Sequence, residues 1–288
     1  MSESPGISVV IPVLNGASTL QEQLDAVLSQ QCAVPFEVVI ADNGSTDGTV
    51  DLVRRCIASD SRVRLIDASD ARLGGAAAKN RGVEAAVAPL IAFCDADDRV
   101  APGWLEAIRA GLQESDVVTA LAEYWELNPR LRSPAFPQYR RSGLYCGIPT
   151  IAGGAFGIRR DLYLQVGEFD ETITGSVDTE FGMRLFRYLR QAPGEASAVV
   201  HVRVPTKSVA AFRRYRMLAR SMPQIARQFD DICTKRAEPS EFKRWLWLMS
   251  RSTFLFYSDR RLRWMQLLGT RVGTLQGRFG LESSKGLA

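Results

Sequence analysis

The sequence predicts an α/β fold: a mostly parallel central sheet with flanking helices, followed by a helical C-terminal extension. Three observations carry this expectation. Strand and helix signals alternate four times over residues 7–112, the signature of parallel strands joined by helical crossovers. The strand-like runs are short and β-branched, and they end abruptly in polar or acidic residues, as buried strands do. From residue 206 onward the pattern is helical, basic and aromatic.

The elements follow in order. Residues 7–13 form an apolar run, and residues 17–30 repeat Leu20, Leu24, Val27 and Leu28 on one helical face. Residues 36–41 are strand-like and 47–58 helical. A third strand is expected over 62–66, a helix of small residues over 76–86 and a fourth strand over 90–94. A helix over 102–112 carries Pro102 at its start, where proline is tolerated. Beyond it, strands are expected at 116–122, 151–158 and 198–204, with a helix over 178–190. Residues 127–147 hold Pro129, Pro134 and Pro137 with four arginines, and read as a long loop, a type that is usually functional. Ligands of such sheets bind beyond the carboxyl ends of the strands, where Asn15, Asp42, Asp95 and Asp97 fall.

A length of 288 residues and a 46% hydrophobic content support a sizeable core. Five cysteines, odd in number and without CxxC spacing, suit reduced thiols in a cytoplasmic protein. The start MSESPG lacks a basic segment, so neither a signal peptide nor a membrane-spanning helix is expected. The net charge of +4 is uneven: residues 1–200 carry 18 Lys and Arg against 26 Asp and Glu, whereas residues 201–288 carry 18 against 6. A basic tail on an acidic body points to an anionic partner. Nucleic acid is not expected, because it would not explain acidic strand ends.

The most informative stretch is LIAFCDADD, residues 90–98. Strand alternation places Asp95 and Asp97 on one face and Asp98 on the other. Paired carboxylates at a strand end suit a hard divalent cation, Mg²⁺ or Mn²⁺, which fills its remaining positions with water and phosphate oxygens. A solvated acidic turn is the plain alternative. In VVIADNGSTDGTV, residues 38–50, Asp42 ends a strand, and Ser45 or Asp47 can cap the next helix. In GGAAAKNRG, residues 74–82, small residues at and after Gly75 open a helix, and Lys79 can meet a phosphate; tight packing on the sheet is the alternative there.

These pieces, with SVVIPVLNGASTL (8–20), GGAFGIRRDLYLQVGEFDE (153–171) and VDTEFGMRL (177–185), resemble in order and spacing the family 2 glycosyltransferases, which have the GT-A fold. The resemblance covers most of residues 7–205. It implies an inverting enzyme that uses a nucleotide-diphosphate sugar, usually a UDP-sugar, and a glycan or lipid-linked acceptor. It assigns residues 1–115 to the nucleotide-sugar-binding half, 116–205 to the acceptor-binding half of the same domain, and 206–288 to an extension.

Residue by residue, the resemblance implies that Pro12, Val13 and Asn15 line the nucleoside and that Asp42 faces the base. Ser45, Gly75, Lys79, Asp95, Ala96 and Asp97 complete the donor site. Lys79 stands where the family more often has Arg, which keeps the charge but not the planar fork. Asp95 and Asp97 match the DxD motif, with Asp97 the direct metal ligand. Gly153 and Gly154 match the acceptor-side glycines. Asp178 matches the catalytic base of a Glu-Asp pair, although Val177 replaces the Glu. Its expected place at a helix N-terminus favours the ionised carboxylate. His201, the only histidine, is expected at the metal or the diphosphate; Arg203 and Lys207 either neutralise the departing diphosphate or face solvent.

No QxxRW motif is present, against a processive synthase. No GxGxxG follows the first strand and no nucleophile elbow occurs, against a dinucleotide oxidoreductase and a serine hydrolase. A catalytically silent nucleotide-sugar-binding or scaffolding protein with the same fold stays open, on the strength of Val177 and Lys79. In the tail, Phe242, Trp245, Leu246, Met249 and Phe256 share a helical face, with Lys243, Arg244, Arg251, Arg260, Arg261 and Arg263 around it and Trp264 following. Such a helix lies in an anionic membrane interface, making the protein peripheral to the membrane, or packs on the catalytic part, or forms a homodimer contact. The sequence leaves these three open.

Overall fold

The structure is a computed structural model, which describes residues 4–69, 74–132, 137–141, 143–233, 241–256 and 258–279. Two compact units form: Met1–Glu171 with Val177–Arg203, and Thr172–Ser176 with Val204–Ala288.

The first unit opens with β1 (Ile7–Val13), α1 (Leu20–Leu28), β2 (Phe36–Asp42), α2 (Thr49–Ser59), β3 (Val63–Asp67), α3 (Gly75–Ala85) and β4 (Leu90–Cys94). It continues through β5 (Arg99–Val100), α4 (Trp104–Glu114), β6 (Val117–Glu123) and three two-residue strands, β7 (Tyr139–Arg140), β8 (Leu144–Tyr145) and β9 (Ile148–Pro149). It closes with β10 (Ala155–Arg159), α5 (Arg160–Val166), α6 (Val177–Leu189) and β11 (Gly194–His201).

The central sheet runs β3-β2-β1-β4-β10-β6-β11-β5, with β7 on β6. Its first four strands are parallel. Then β10 enters antiparallel between β4 and β6, so the sheet is mixed. Strands β1, β2 and β4 are buried on both faces, whereas edge strand β3 is half-buried, and successive side chains serve opposite layers. Val9, Ile11 and Val13 pack with Leu20, Leu24, Trp104 and Ile108. Val10 packs with Val83, Phe93, Phe156 and Phe181 on the other side. That second layer is aromatic: Phe93 stacks on Phe156 with centroids 4.6 Å apart, and Phe169 meets Phe181 at 4.8 Å.

The expected elements are present, with ends displaced by a few residues. Strand β5 and helix α5 were not anticipated, being too short to show a period. The expected long loop over 127–147 contains a 3₁₀ turn at Pro129–Leu131 and two short strands; Pro134 falls outside the described residues.

The second unit holds α7 (Ser208–Arg220), α8 (Met222–Gln228), α9 (Glu241–Met249) and α10 (Ser258–Phe279). Three glycines four apart, Gly269, Gly273 and Gly277, set α10 directly on the α7 backbone at Phe212, Arg216 and Arg220. Any Cβ there would enter a main-chain atom, which cannot swing aside as a side chain can. Among the described residues no helix is long and apolar enough to cross a membrane.

Candidate functional site

The carboxyl ends of β1, β2 and β4 open into one cleft of about 430 Å³. Of the residues singled out from the sequence, Pro12, Val13, Asn15, Gly75, Asp95, Ala96 and Asp97 line it. Leu14, half exposed, lines it as well, with Asn43. The loop after β1 is held by the loop after β2. Ser45 Oγ accepts the Asn15 N–H at 2.8 Å, Thr49 Oγ1 that of Gly16 at 2.9 Å, and Asp47 Oδ2 that of Ala17 at 3.1 Å. Asn15 takes a left-handed conformation, φ 53°, and its Oδ1 accepts the Thr46 N–H. Asp47 also accepts the Thr49 N–H at the start of α2, while Ser45 braces the β1 loop instead. Asp42 is buried. Its Oδ2 accepts the Ser45 N–H, whereas its Oδ1 has no hydrogen-bond partner among the described residues.

Beyond Cys94 the chain leaves the strand and turns, with the Asp98 N–H donating to Asp95 O at 3.3 Å. The face alternation expected for Asp98 therefore does not apply. Ligand atoms of Asp95, Asp97 and Asp98 lie within 4.8 Å of one another. Oxygen donors at that spacing fit Mg²⁺ or Mn²⁺. The turn is fastened on both sides. Buried Gln23 of α1 donates to Asp95 O at 2.9 Å and accepts the Val100 N–H at 3.0 Å. Arg203 donates through its main chain to Asp98 Oδ1, and through its guanidinium to Asp97 O and to Glu22. Arg203 thus ties the end of β11 to the turn and to α1. Cys94, just before the turn, is fully buried. Burial, then Asp95 and Asp98, push its thiol well up, so it stays neutral.

Behind the turn, Lys79 Nζ sits 3.2 Å from Asp95 Oδ1, with the lysine side chain only 7% exposed and the aspartate 37%. The Phe169 ring lies 5.7 Å from the ammonium. Next door, Asn80 donates to Phe169 O and Glu171 Oε1 and accepts from the Tyr163 hydroxyl at 2.6 Å, fixing the segment against which Lys79 rests. The Gly153–Gly154 main chain fits between two acids. The Gly153 N–H donates to Asp178 Oδ2 at 3.2 Å. A Cβ on Gly154 would collide with the Asp95 carboxylate, and one on Gly153 would lie 3.1 Å from both Lys79 Nζ and Asp178 Cβ. Asp178 stands in the first turn of α6, where its Oδ1 also accepts the Thr179 N–H.

His201 lies at the end of β11, beside Arg99 of β5. Its Nδ1 is 3.0 Å from Oε2 of Glu123, which is almost fully buried. Burial pushes the Glu123 carboxyl up, but the His201 contact and the N–H groups of Glu126 and Trp125 outweigh this and hold it below its usual range. His201 is not one of the three grouped ligands. Lys207 is exposed beside α7, in the second unit. Gln23, Asn80 and Glu123 were missed from the sequence, because single polar residues inside apolar patterns carry no motif.

The family model of glycosyl transferase family 2 matches residues 8–167, a span that takes in the cleft, the acidic turn, Lys79 and both glycines. The chain belongs to glycosyl transferase family 2. Among its relatives, the uncharacterized glycosyltransferase YibD of Escherichia coli strain K12 is 30% identical over 159 residues, covering 50% of this chain and 45% of YibD. The chain thus spans less than half the length of that relative. The mannosyltransferase PcManGT from Pyrobaculum calidifontis, solved in complex with GDP-Man and Mn²⁺, superposes with a TM-score of 0.66 at 18% identity, over 98% of this chain and 89% of that one. S. aureus TarS 1–349 in complex with UDP gives 0.54 at 17% identity, over 98% and 94%. These likenesses show the GT-A fold.

Proposed function

We propose that this family 2 member is an inverting glycosyltransferase that moves a sugar from a nucleotide-diphosphate sugar, a UDP-sugar in our reading, to a hydroxyl of a glycan or lipid-linked acceptor. One observation carries the reading: the Gly153–Gly154 main chain brings Asp178 and the Asp95–Lys79 pair against the same short stretch of chain. A base and an acidic turn then serve a single small volume, as a direct displacement requires. The Mn²⁺ and nucleotide ligands of the two solved neighbours support it.

In this reading the nucleoside occupies the cleft lined by Pro12, Val13, Asn15 and Gly75. The lone Oδ1 of Asp42 accepts an N–H of the base, and Ser45 orients that carboxylate. Asp97 and Asp95 hold a divalent cation, with His201 available as a further ligand. Bound there, the cation would offset the charge of the diphosphate. Asp178 takes the proton of the acceptor hydroxyl. The acceptor oxygen bonds to the anomeric carbon as the bond from that carbon to the diphosphate oxygen breaks, and the diphosphate leaves with the electron pair. Lys79 holds the Asp95 carboxylate in place from behind the turn.

Titration calorimetry of UDP with Mn²⁺ or with EDTA, run on wild type, Asp97→Ala and Asp178→Asn, tests the assignment. Cation-dependent binding should weaken in Asp97→Ala. It should persist in Asp178→Asn while transfer is lost, because only the proton acceptor has been removed. UDP affinity indifferent to EDTA in every variant would sink the cation assignment. Transfer retained by Asp178→Asn would reject the base.

A further inference from the structure

We propose that the outward face of α9 docks on an anionic lipid bilayer. The inference rests on the geometry of the helical unit and stands apart from the transfer reaction. Helix α9 turns three of its apolar side chains outward. Among its described side chains only Leu248 is fully buried, with Trp245 half-buried, and Trp264 of α10 clasps Leu248 by donating its indole N–H to Leu248 O at 3.0 Å. Leu246, Trp247 and Met249 are 60%, 46% and 46% exposed. At about 100° per residue these three fall within one outward arc centred near Ser250, with exposed Lys243 inside it.

An exposed Leu-Trp pair costs solvation free energy unless something covers it. Charge selects the occupant. The Arg251 guanidinium lies 4.0 Å over the Trp247 ring, so a cation and an indole are presented at one point. That pairing suits the headgroup level of a membrane. The surrounding chain is strongly basic: residues 201–288 carry 18 Lys and Arg against 6 Asp and Glu. A second copy of the same face would bring like charges together, whereas an anionic bilayer complements both the charge and the apolar arc. Trp264, for which the sequence left membrane contact and packing both open, is buried inside the bundle, and Phe242 and Phe256 have side chains outside the described residues. The wedge is therefore Leu246, Trp247 and Met249.

The full chain should co-sediment at low salt with phosphatidylcholine vesicles containing phosphatidylglycerol, but not with phosphatidylcholine alone. Added salt should weaken the binding. A triple variant, Leu246→Ser with Trp247→Ser and Met249→Ser, replaces only exposed side chains. It should keep its circular dichroism and its UDP binding, yet lose at least about tenfold in vesicle partition. Lys243→Glu with Arg251→Glu should lower partition and flatten its salt dependence. Wild-type protein left in the supernatant with anionic vesicles at low salt overturns the proposal, as does undiminished partition of the triple variant. A concentration-dependent dimer that the triple variant abolishes, seen by sedimentation velocity, also overturns it, since a second copy would then cover the face.

Discussion

The Lys79–Asp95 pair is unequal, and the inequality predicts which half the fold can lose. Lys79 is 7% exposed and Asp95 37%. Deleting Asp95 strands an ammonium in a space bounded by Phe169 and the Gly153 main chain. Breaking a fully buried ion pair this way costs about 3–5 kcal/mol. Because the aspartate end is partly wet, Asp95→Ala should fall at the lower end, about 3 kcal/mol. Lys79→Met deletes the other charge but leaves the Asp95 carboxylate with solvent, and the thioether can pack on Phe169. That exchange should cost within about 1 kcal/mol. The double variant should then recover about 2 kcal/mol of the Asp95→Ala loss, a coupling measurable in a double-mutant cycle. Urea unfolding with matched m-values, followed by circular dichroism and tryptophan fluorescence, supplies the numbers. If Lys79→Met destabilises as much as Asp95→Ala, or if the two losses simply add, the reasoning from burial is wrong.

Gly154→Ala should push the Asp95 carboxylate off its present position; overpacking of about 1–3 kcal/mol, felt at the site, would weaken cation-dependent UDP binding by roughly tenfold or more in calorimetry. Stability should fall with acid between about pH 4.5 and 2. The hydrogen bond from Arg109 takes Glu106 from its ordinary 4.5 to about 2, and Ser8, the Val87 N–H and Arg64 lower Glu37 against the opposing effect of burial. Carboxyls depressed by folding stabilise above their unfolded pKa and lose that contribution as pH drops through the folded one. Arg109→Ala should make the melting temperature less acid-sensitive, by a modest amount because Glu106 is partly exposed. Gly273→Val should lower the thermal stability of the helical unit, since its side chain would enter the α7 backbone at Arg216; an unchanged melting profile would contradict the close α7–α10 packing.

The parallel half of the sheet was legible because its inner strands are buried on both faces and its crossovers carry clear helical periods, as in residues 20–28 against 36–42. The direction of β10 was not, because alternation of strand and helix reports order along the chain and says nothing of orientation after a long connection. The acidic turn was located, but the fate of Asp98 was misread from strand geometry: the strand stops at Cys94, and from there the hydrogen bond from Asp98 to Asp95 governs where side chains point. The α9 face shows the same limit. A nine-residue helix has too few turns to fix its buried side by period, and the contact with Trp264 decides that Leu248 points inward. The supporting polar residues, Gln23, Asn80 and Glu123, become visible only when their partners, 72 to 91 positions away, are in place.

Those distant partners also explain why the turn can exist. Carboxylate oxygens within 4.8 Å of one another repel by roughly 3 kcal/mol or more per pair at an effective dielectric of about 20. The fold holds the turn against this with bonds from three directions: Gln23 from α1, Lys79 from α3 and Arg203 after β11. None of the three lies on the turn itself. An ordinary solvated loop would relieve the same repulsion by opening outward, at the entropic cost of nothing more than its own mobility. Here the carboxylates are held together by elements from across the first unit, so the crowding is built into the sheet's order. An arrangement that keeps like charges close against their repulsion could hold a cation.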